Sequence, residues 1–298
     1  VGSVVLKDQK TMSTSIIGND LGHFERLESY IPFDLTHFEN FVLASLVISC
    51  VVAFRYFLIV TPFWFWLYQL RPRGWDRRKI YAHLPTKRMQ AFEIKWSVIT
   101  SLIFGISGVA LGCFWQLGWT RIYLRFSDYP LWYLPLSFIL MALVHDWYFY
   151  VTHRVMHLPK LYRLVHATHH QSFTPSPWAS FSFHPWEGVI QAIIIPLLVM
   201  LIPVHPTILL SYLTFMTLSA IINHLGFEVL PRNSFGLWLS KWFITGTHHA
   251  QHHRFYKTNY ALFFTFWDRL FQTEDARFES EIHERLRNKA KELECQTS

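Results

Sequence analysis

Charge is scarce in this chain. Only 16% of its 298 residues are Asp, Glu, Lys or Arg, against about 25% in soluble domains, which excludes a well-solvated surface over most of its length. Cysteine is scarcer still. Cys50, Cys113 and Cys295 stand far apart, the first two inside apolar runs, so there is no disulfide framework, zinc knuckle or cysteine set for an iron–sulfur cluster. The sequence also lacks a GxGxxG turn, an HExxH pair and a His-Pro-Gly-Gly haem motif, removing a dinucleotide fold, a zinc protease and a fused haem module for electron transfer. No cleavable signal peptide is visible in the mixed, polar residues 1–39, so later segments are expected to direct membrane insertion.

Apolar sequence is abundant: 51% of residues are hydrophobic and 18% aromatic. The net charge of +7 and pI near 9.3 do not point to nucleic acid, because the basic residues cluster beside apolar runs, as at a cytoplasmic membrane face. Trp96 to Trp119 carries no charge and is long enough to span a bilayer. A second span begins near Tyr129. The uncharged stretch from Gly188 to Ile222 would run roughly 52 Å as one helix, so "PVHP", Pro203 to Pro206, is expected to break it into a hairpin. The first run, Asn40 to Leu70, contains Pro62 and Arg55; Arg55 is read as snorkelling or paired. Between Arg71 and Lys95 stand eight Lys or Arg, which predicts a cytosolic loop over 71–95 and puts every histidine cluster on that same face. The expected fold is an all-α integral membrane protein of four to five transmembrane or hairpin helices with a cytosolic, histidine-rich di-metal cap. Its parts are a polar segment 1–39, membrane helices 40–143, a catalytic region 144–273 that includes the hairpin 188–222, and a charged, solvated or interfacial tail 274–298.

Of 17 histidines, 13 fall between His145 and His253. "HRVMH" sets His153 and His157 four apart; "HATHH" sets His166, His169 and His170 at i, i+3, i+4; "HAQHH" repeats that spacing with His249, His252 and His253. On a helix each group shares one face and can present several ligands to one or two metal ions. His184 and His224 flank the hairpin and are expected to complete the set. His145 and His248 stay unassigned, while His23, His37, His83, His205 and His283 read as hydrogen-bonded interfacial residues. Imidazole suits Zn, Cu, Fe and Ni alike. Eight to ten imidazoles exceed the needs of one ion and match two adjacent ions that keep an open position, as cleavage of dioxygen against a C–H bond requires. A membrane metal transporter is the rival class; it would place histidines or carboxylates within the spans, and the 96–119 span has neither.

Val144 to Thr273 resembles the fatty acid hydroxylase/sterol desaturase superfamily of membrane di-iron oxygenases. "HRVMHLPKLYRLVHATHH" is similar to its first two histidine boxes, and "NYALFFTFWDRLFQT" to the text after the third. "TPSPWASFSFHPWEG" resembles the C-5 sterol desaturases, the lathosterol oxidase type. The resemblance implies two Fe ions, with Zn able to substitute, and O2 as co-substrate. It also implies a membrane lipid substrate, a sterol foremost, and an external electron donor such as cytochrome b5 or a ferredoxin with its reductase. Desaturation to a C=C bond is the first expected reaction; hydroxylation of a sterol, fatty acyl chain or sphingoid base is the second. The membrane is the endoplasmic reticulum in a eukaryote or the inner membrane in a bacterium. The chain departs from the family pattern at Ala167, Ser176, Trp178, Glu187, Ala261 and Gln272, the last two at usual glycine positions.

Overall fold

The computed structural model describes residues 33–72 and 74–286. These form an all-α architecture, with only isolated β-bridges among the described residues. Five long helices carry the apolar runs: α1, Phe38–Trp64; α2, Lys87–Gln116; α3, Tyr133–Met156; α4, Pro185–Leu201; and α5, Pro206–His224. Four are long and apolar enough to cross a membrane: α1 with the π-helical turn Phe65–Leu70 that extends it, α2, α3 and α5. The 17-residue α4 is shorter. Their outward faces are crowded with exposed Leu, Val, Ile and Phe, for example Leu43, Val47, Phe54, Leu58, Ile106 and Ile139, a surface that suits lipid rather than water.

The breaks follow from local chemistry. Pro62 lies inside α1, three residues before the hydrogen bonding widens to the π pattern, since its missing N–H and its ring disrupt the α ladder. Helix α2 starts earlier than expected. Thr86 caps it by accepting from Met89 N at 3.2 Å, so Lys87, Arg88 and Lys95 are helical and the basic loop ends at Thr86 rather than residue 95. The helix breaks at the expected place: α4 ends at Leu201 and α5 begins at Pro206. His205 caps α5 by accepting from Thr207 N at 3.2 Å, and its Nε2 donates to Leu124 O at 3.1 Å.

Two contacts set the bundle. Helices α1 and α2 meet closely, and a Cβ built on Gly105 would lie 2.6 Å from the Ser49 backbone. Small residues permit such approach where helices associate without a hydrophobic driving force. The turn Pro177–Phe181 is buried against α1, α2 and α5. Its Trp178 carbonyl accepts from Tyr56 Oη at 2.7 Å and Ser97 Oγ at 2.9 Å. The tail differs from its expectation as a solvated helix. Residues Phe278–Leu286 bury Phe278, Ile282 and Leu286 against Leu230 and Leu237. Residues 1–32 and 287–298, which include His23, Cys295 and most of the predicted polar segment, lie outside the described residues.

The Gly105 contact gives a direct test. Gly105→Val inserts atoms where backbone already stands, and overpacking of this kind costs about 1–3 kcal/mol. The thermal midpoint of the detergent-solubilised protein is expected to fall, while Gly74→Ala, with open space around the added Cβ but a left-handed φ of 88°, falls less. Equal midpoints for Gly105→Val and wild type would show that the helices do not depend on this approach.

Candidate metal centre

The histidines sit where helices end. The last turn of α3 carries His153, and His157 is its C-cap residue. The chain then turns at Pro159, passes through the π-helical stretch Tyr162–His166 and closes with the short helix Ala167–His170. His224 is the last residue of α5. The third box lies on a further helix, α6, Gly246–Phe255, whose cap Thr245 accepts from the backbone N of Thr247 and His248. Tyr256 ends α6 in the left-handed region at φ 65°.

These ends bring nine imidazoles into two adjacent groups: His153, His157, His166, His170 and His252 in one, His169, His224, His249 and His253 in the other. Within each group the candidate ligand atoms lie within 4.8 Å of one another. In the first, His170 Nε2 is 3.0 Å from His166 Nε2, 3.2 Å from His157 Nε2 and 3.1 Å from His252 Nε2. In the second, His249 Nε2 is 2.9 Å from His224 Nε2 and 3.0 Å from His253 Nε2. The His170 and His253 rings, 4.6 Å apart, join the groups.

The opposite ring nitrogens decide what this arrangement can hold. His153 Nδ1 donates to Tyr260 O at 2.8 Å and His252 Nδ1 to Thr258 O at 2.7 Å. His169 Nδ1 donates to Ser182 O at 3.1 Å and His224 Nδ1 to Ala220 O at 2.8 Å. A neutral ring that donates from Nδ1 has only a lone pair at Nε2. His169 and His224 therefore face each other at 3.3 Å with two acceptors and no proton between them. Convergent lone pairs, each ring held by a backbone carbonyl behind it, are the donor set of a metal site. His166 Nδ1 lies 2.9 Å from Glu187 Oε1, the carboxylate–imidazole arrangement that orients a ligand and raises its basicity.

Two buried carboxylates build the wall behind the first group. Asp146 accepts from Leu262 N at 3.1 Å and Phe263 N at 2.7 Å. Asp268 accepts from Tyr260 N at 2.8 Å, Ala261 N at 2.9 Å and Thr273 Oγ1 at 2.7 Å. They fix the segment whose Tyr260 carbonyl holds His153. Gln272, at a usual glycine position of the family pattern, has a φ of 55°, a region that glycine enters without strain.

An apolar cavity of about 320 Å³ lies between α1, α2, α3, α4 and α5; none of the nine clustered histidines lines it, but three of its lining residues touch or hold them. Of its lining residues, Phe149 packs on the His153 ring at 5.0 Å, Phe183 on the His169 ring at 5.1 Å, and Ala220 supplies the carbonyl that holds His224.

Nine of the ten sequence-predicted ligands are thus brought together. His184 is not. It is the N-cap of α4, its Nδ1 accepting from Trp186 N at 3.4 Å and its ring 6.1 Å from Trp96, so its place in the ligand set is corrected to a capping role. His248 points away, stacked on Phe278 at 3.4 Å, and His145 is paired with Tyr212 Oη at 2.9 Å. Glu187, Asp146 and Asp268 were not singled out as site residues. Each is a single carboxylate beside a tryptophan, in "HPWEG", "VHDWY" and "FWDRL", which marks it as unusual without naming its partner.

Residues 138–273 match the fatty acid hydroxylase family. The matched stretch contains all nine clustered histidines and both carboxylate clamps, and it agrees with the resemblance read from Val144 to Thr273. Among curated proteins, the chain is 29% identical over 172 residues to a Delta(7)-sterol 5(6)-desaturase of Gibberella zeae, covering 57% of this chain and 52% of that protein. It is 30% identical over 181 residues to the lathosterol oxidase of Homo sapiens, covering 60% and 58%. The Delta(7)-sterol 5(6)-desaturase of Saccharomyces cerevisiae is 28% identical over 187 residues, covering 62% and 49%. The chain thus spans about half to three fifths of the length of these relatives. No solved structure matches.

The electrostatics of the histidine cluster generate a pH prediction. Burial, and next the neighbouring imidazoles, push His166, His169, His170, His249, His252 and His253 well below the ordinary histidine value of 6.5. The folded chain therefore holds fewer protons than the unfolded chain once pH drops below 6.5. Stability of the metal-free protein is fully present above that value and lost as pH falls, with a limiting slope of about 1.4 kcal/mol per pH unit for each such imidazole. Thermal midpoints of chelator-treated protein are expected to be level from pH 8 to 7 and to fall steeply from pH 6.5 to 5. A flat profile down to pH 5 would mean the rings are not buried neutral.

Proposed function

We propose that this chain is an O2-dependent, non-haem di-iron lipid oxidoreductase of the membrane, acting first as a sterol desaturase of the C-5 type. The observation that carries the reading is the meeting of two groups of convergent imidazole lone pairs with the end of an apolar cavity between membrane-length helices. The printed names of the relatives, sterol 5(6)-desaturase and lathosterol oxidase, support the sterol.

In this reading His153, His157, His166, His170 and His252 hold one iron and His169, His224, His249 and His253 the other. An iron pair, when bound, supplies reductive activation of dioxygen and removal of hydrogen from an unactivated C–H bond. The protein's part is placement. The backbone carbonyls of Tyr260, Thr258, Ser182 and Ala220 fix which nitrogen of each ring faces the metal. Phe149 and Phe183 line the cavity beside the histidines and keep water from the reacting carbons. Desaturation consumes O2, two external electrons and two protons along with two substrate hydrogens, and yields the alkene and two waters. Hydroxylation begins with the same hydrogen removal, and the apolar cavity end accommodates either outcome. A transporter is disfavoured, because no Asp or Glu lines the cavity and the histidines cluster at helix ends rather than along a path.

Sidedness follows from charge. The basic stretch Arg71 to Arg88 supports a cytosolic position for the histidine end of the bundle, where a soluble or peripheral electron carrier has access. Arg78 is occupied by the Glu228 and Leu230 carbonyls, whereas Arg77, Lys87 and Arg88 are exposed and offer a surface for an acidic carrier.

Elemental analysis of active protein is expected to give two metal ions per chain, iron natively and zinc after overexpression. Replacing His157, His169, His170, His252 or His253 with Ala is expected to abolish turnover while the protein remains membrane-inserted, whereas His184→Ala and His283→Ala retain both ions. One ion per chain in active protein, or loss of metal on His184→Ala, would overturn the ligand assignment.

Turnover is expected only when a carrier and reductase accompany substrate, O2 and NAD(P)H. The Arg77→Glu, Lys87→Glu, Arg88→Glu triple variant is expected to raise the carrier concentration needed for half-maximal rate, most strongly at low salt, with metal content unchanged. Sustained turnover without a carrier would refute the need for one, and an unchanged requirement in the triple variant would refute this docking surface.

A further inference from the structure

Arg55 is the residue that the metal centre leaves unexplained. It lies in the middle of α1, and among the described residues its guanidinium meets no carboxylate and no hydrogen-bond acceptor. It lines the apolar cavity instead. Gln191 on α4 lines the same cavity, and its Nε2 is buried without a partner. His145 on α3 is the third such group: its Nδ1 pairs with Tyr212 Oη, and its Nε2 meets no other group among the described residues. The other polar lining side chains are spent on carbonyls, Ser107 on Ala192 at 3.0 Å, Ser180 on Pro177 at 2.9 Å and Thr217 on Leu213 at 2.9 Å. Three helices thus send unsatisfied polar groups to one cavity that otherwise satisfies its own.

Leaving hydrogen-bond donors unpaired in an apolar setting costs free energy, and an intramembrane arginine points by default to a functional partner. The cavity supplies no anion, since no Asp or Glu lines it. What would complete it is an oxygen atom that accepts hydrogen bonds, carried by a molecule otherwise apolar enough to fill about 320 Å³. Gln191 is one helical turn beyond Glu187, whose carboxylate lies beside His166, so Gln191 sits at the part of the cavity nearer the histidines. His145 precedes His153 by eight residues, about 12 Å along the helix.

We propose that Arg55 and Gln191 form a binding subsite for the oxygen function of the lipid, hydroxyl or carboxylate, and that the substrate enters with this polar end inside the bundle. The proposal rests on the reading of the cavity as the substrate site of a lipid oxidoreductase. The subsite selects among lipids by a single oxygen and fixes the distance between that oxygen and the carbon presented to the histidines. Arg55 and Gln191 are positioning residues.

The test is equilibrium binding of radiolabelled lipids to the purified full chain in nanodiscs, without reductant so that nothing turns over. The probes are cholest-7-en-3β-ol, its 3-deoxy hydrocarbon counterpart and palmitic acid. Wild type is expected to bind an oxygen-bearing lipid at least about tenfold more tightly than the hydrocarbon, the scale of one hydrogen bond to a charged donor. Preference for the sterol alcohol identifies a neutral polar end, and preference for palmitate an anionic one. Arg55→Met and Gln191→Met, apolar replacements that suit a membrane helix, are expected to reduce the preference to about twofold or less while metal content and hydrocarbon affinity stay at wild-type level. His283→Ala is the unaffected control. Equal affinity of wild type for all three lipids, or an intact preference in both Met variants, overturns the subsite and leaves Arg55 as a snorkelling residue. Because turnover is not read, absence of desaturase or hydroxylase activity would count against the proposed function and not against this binding result.

Discussion

The arrangement that the rest of the structure serves is the convergence of nine imidazoles, eight of them buried and His157 half-buried, with neighbouring Nε2 atoms about 3 Å apart. Lone pairs at that spacing repel, and each ring has also lost its water. Grips from behind offset part of that cost for five of the rings, whereas the Nδ1 atoms of His170 and His253 are buried without a partner among the described residues. Four rings donate from Nδ1 to backbone carbonyls and a fifth faces Glu187. Those anchors need fixing in turn, which accounts for Asp146 and Asp268 beneath the segment carrying Tyr260. The tail extends the same logic: Phe278 stacks on His248, the member of the third box that points away from the metal, and so braces α6 on its outer side.

The two groups also account for the box spacing. In "HATHH" the i and i+4 residues, His166 and His170, serve the first group and the i+3 residue, His169, the second. In "HAQHH" the assignment is reversed: His249 and His253 serve the second group and His252 the first. The second and third boxes thus each contribute to both groups, while "HRVMH" serves the first alone, so neither group is complete without the ends of several elements. The π-helical stretch before His166 widens the local turn, and the second box is re-aimed relative to α3 without a long loop. The His166–His170 and His249–His253 helical turns each carry members of both groups, so moving either turn displaces imidazoles of both.

Much of this was legible beforehand because it is written in types and spacings. The helix-only architecture, the hairpin break at Pro203 to Pro206 and nine of the ten ligands follow from uncharged run length, proline chemistry and the four-residue helical repeat. His184 misled because a histidine beside a helix start fits two roles, ligand and N-cap, and only the direction of its ring separates them. The start of α2 at Lys87 was missed because charge excludes a residue from the membrane without excluding it from a helix. The carboxylate clamps were hidden for a different reason. Their partners are backbone N–H groups more than a hundred residues away for Asp146, and backbone donors carry no sequence signature.

The cavity ties the centre to the membrane. Helices that end in ligands at one side are, a few turns earlier, the walls of an apolar chamber, so one set of spans delivers both the metal layer and the surface against which a lipid lies. Phe149 on α3 precedes His153 by one turn, and Ala220 on α5 precedes His224 by one turn. These two cavity-lining residues therefore lie one helical turn from rings that belong one to each histidine group. Placement of the reacting carbon and placement of the ligands are then the same geometric property of α3 and α5, and a shift of either helix alters both together.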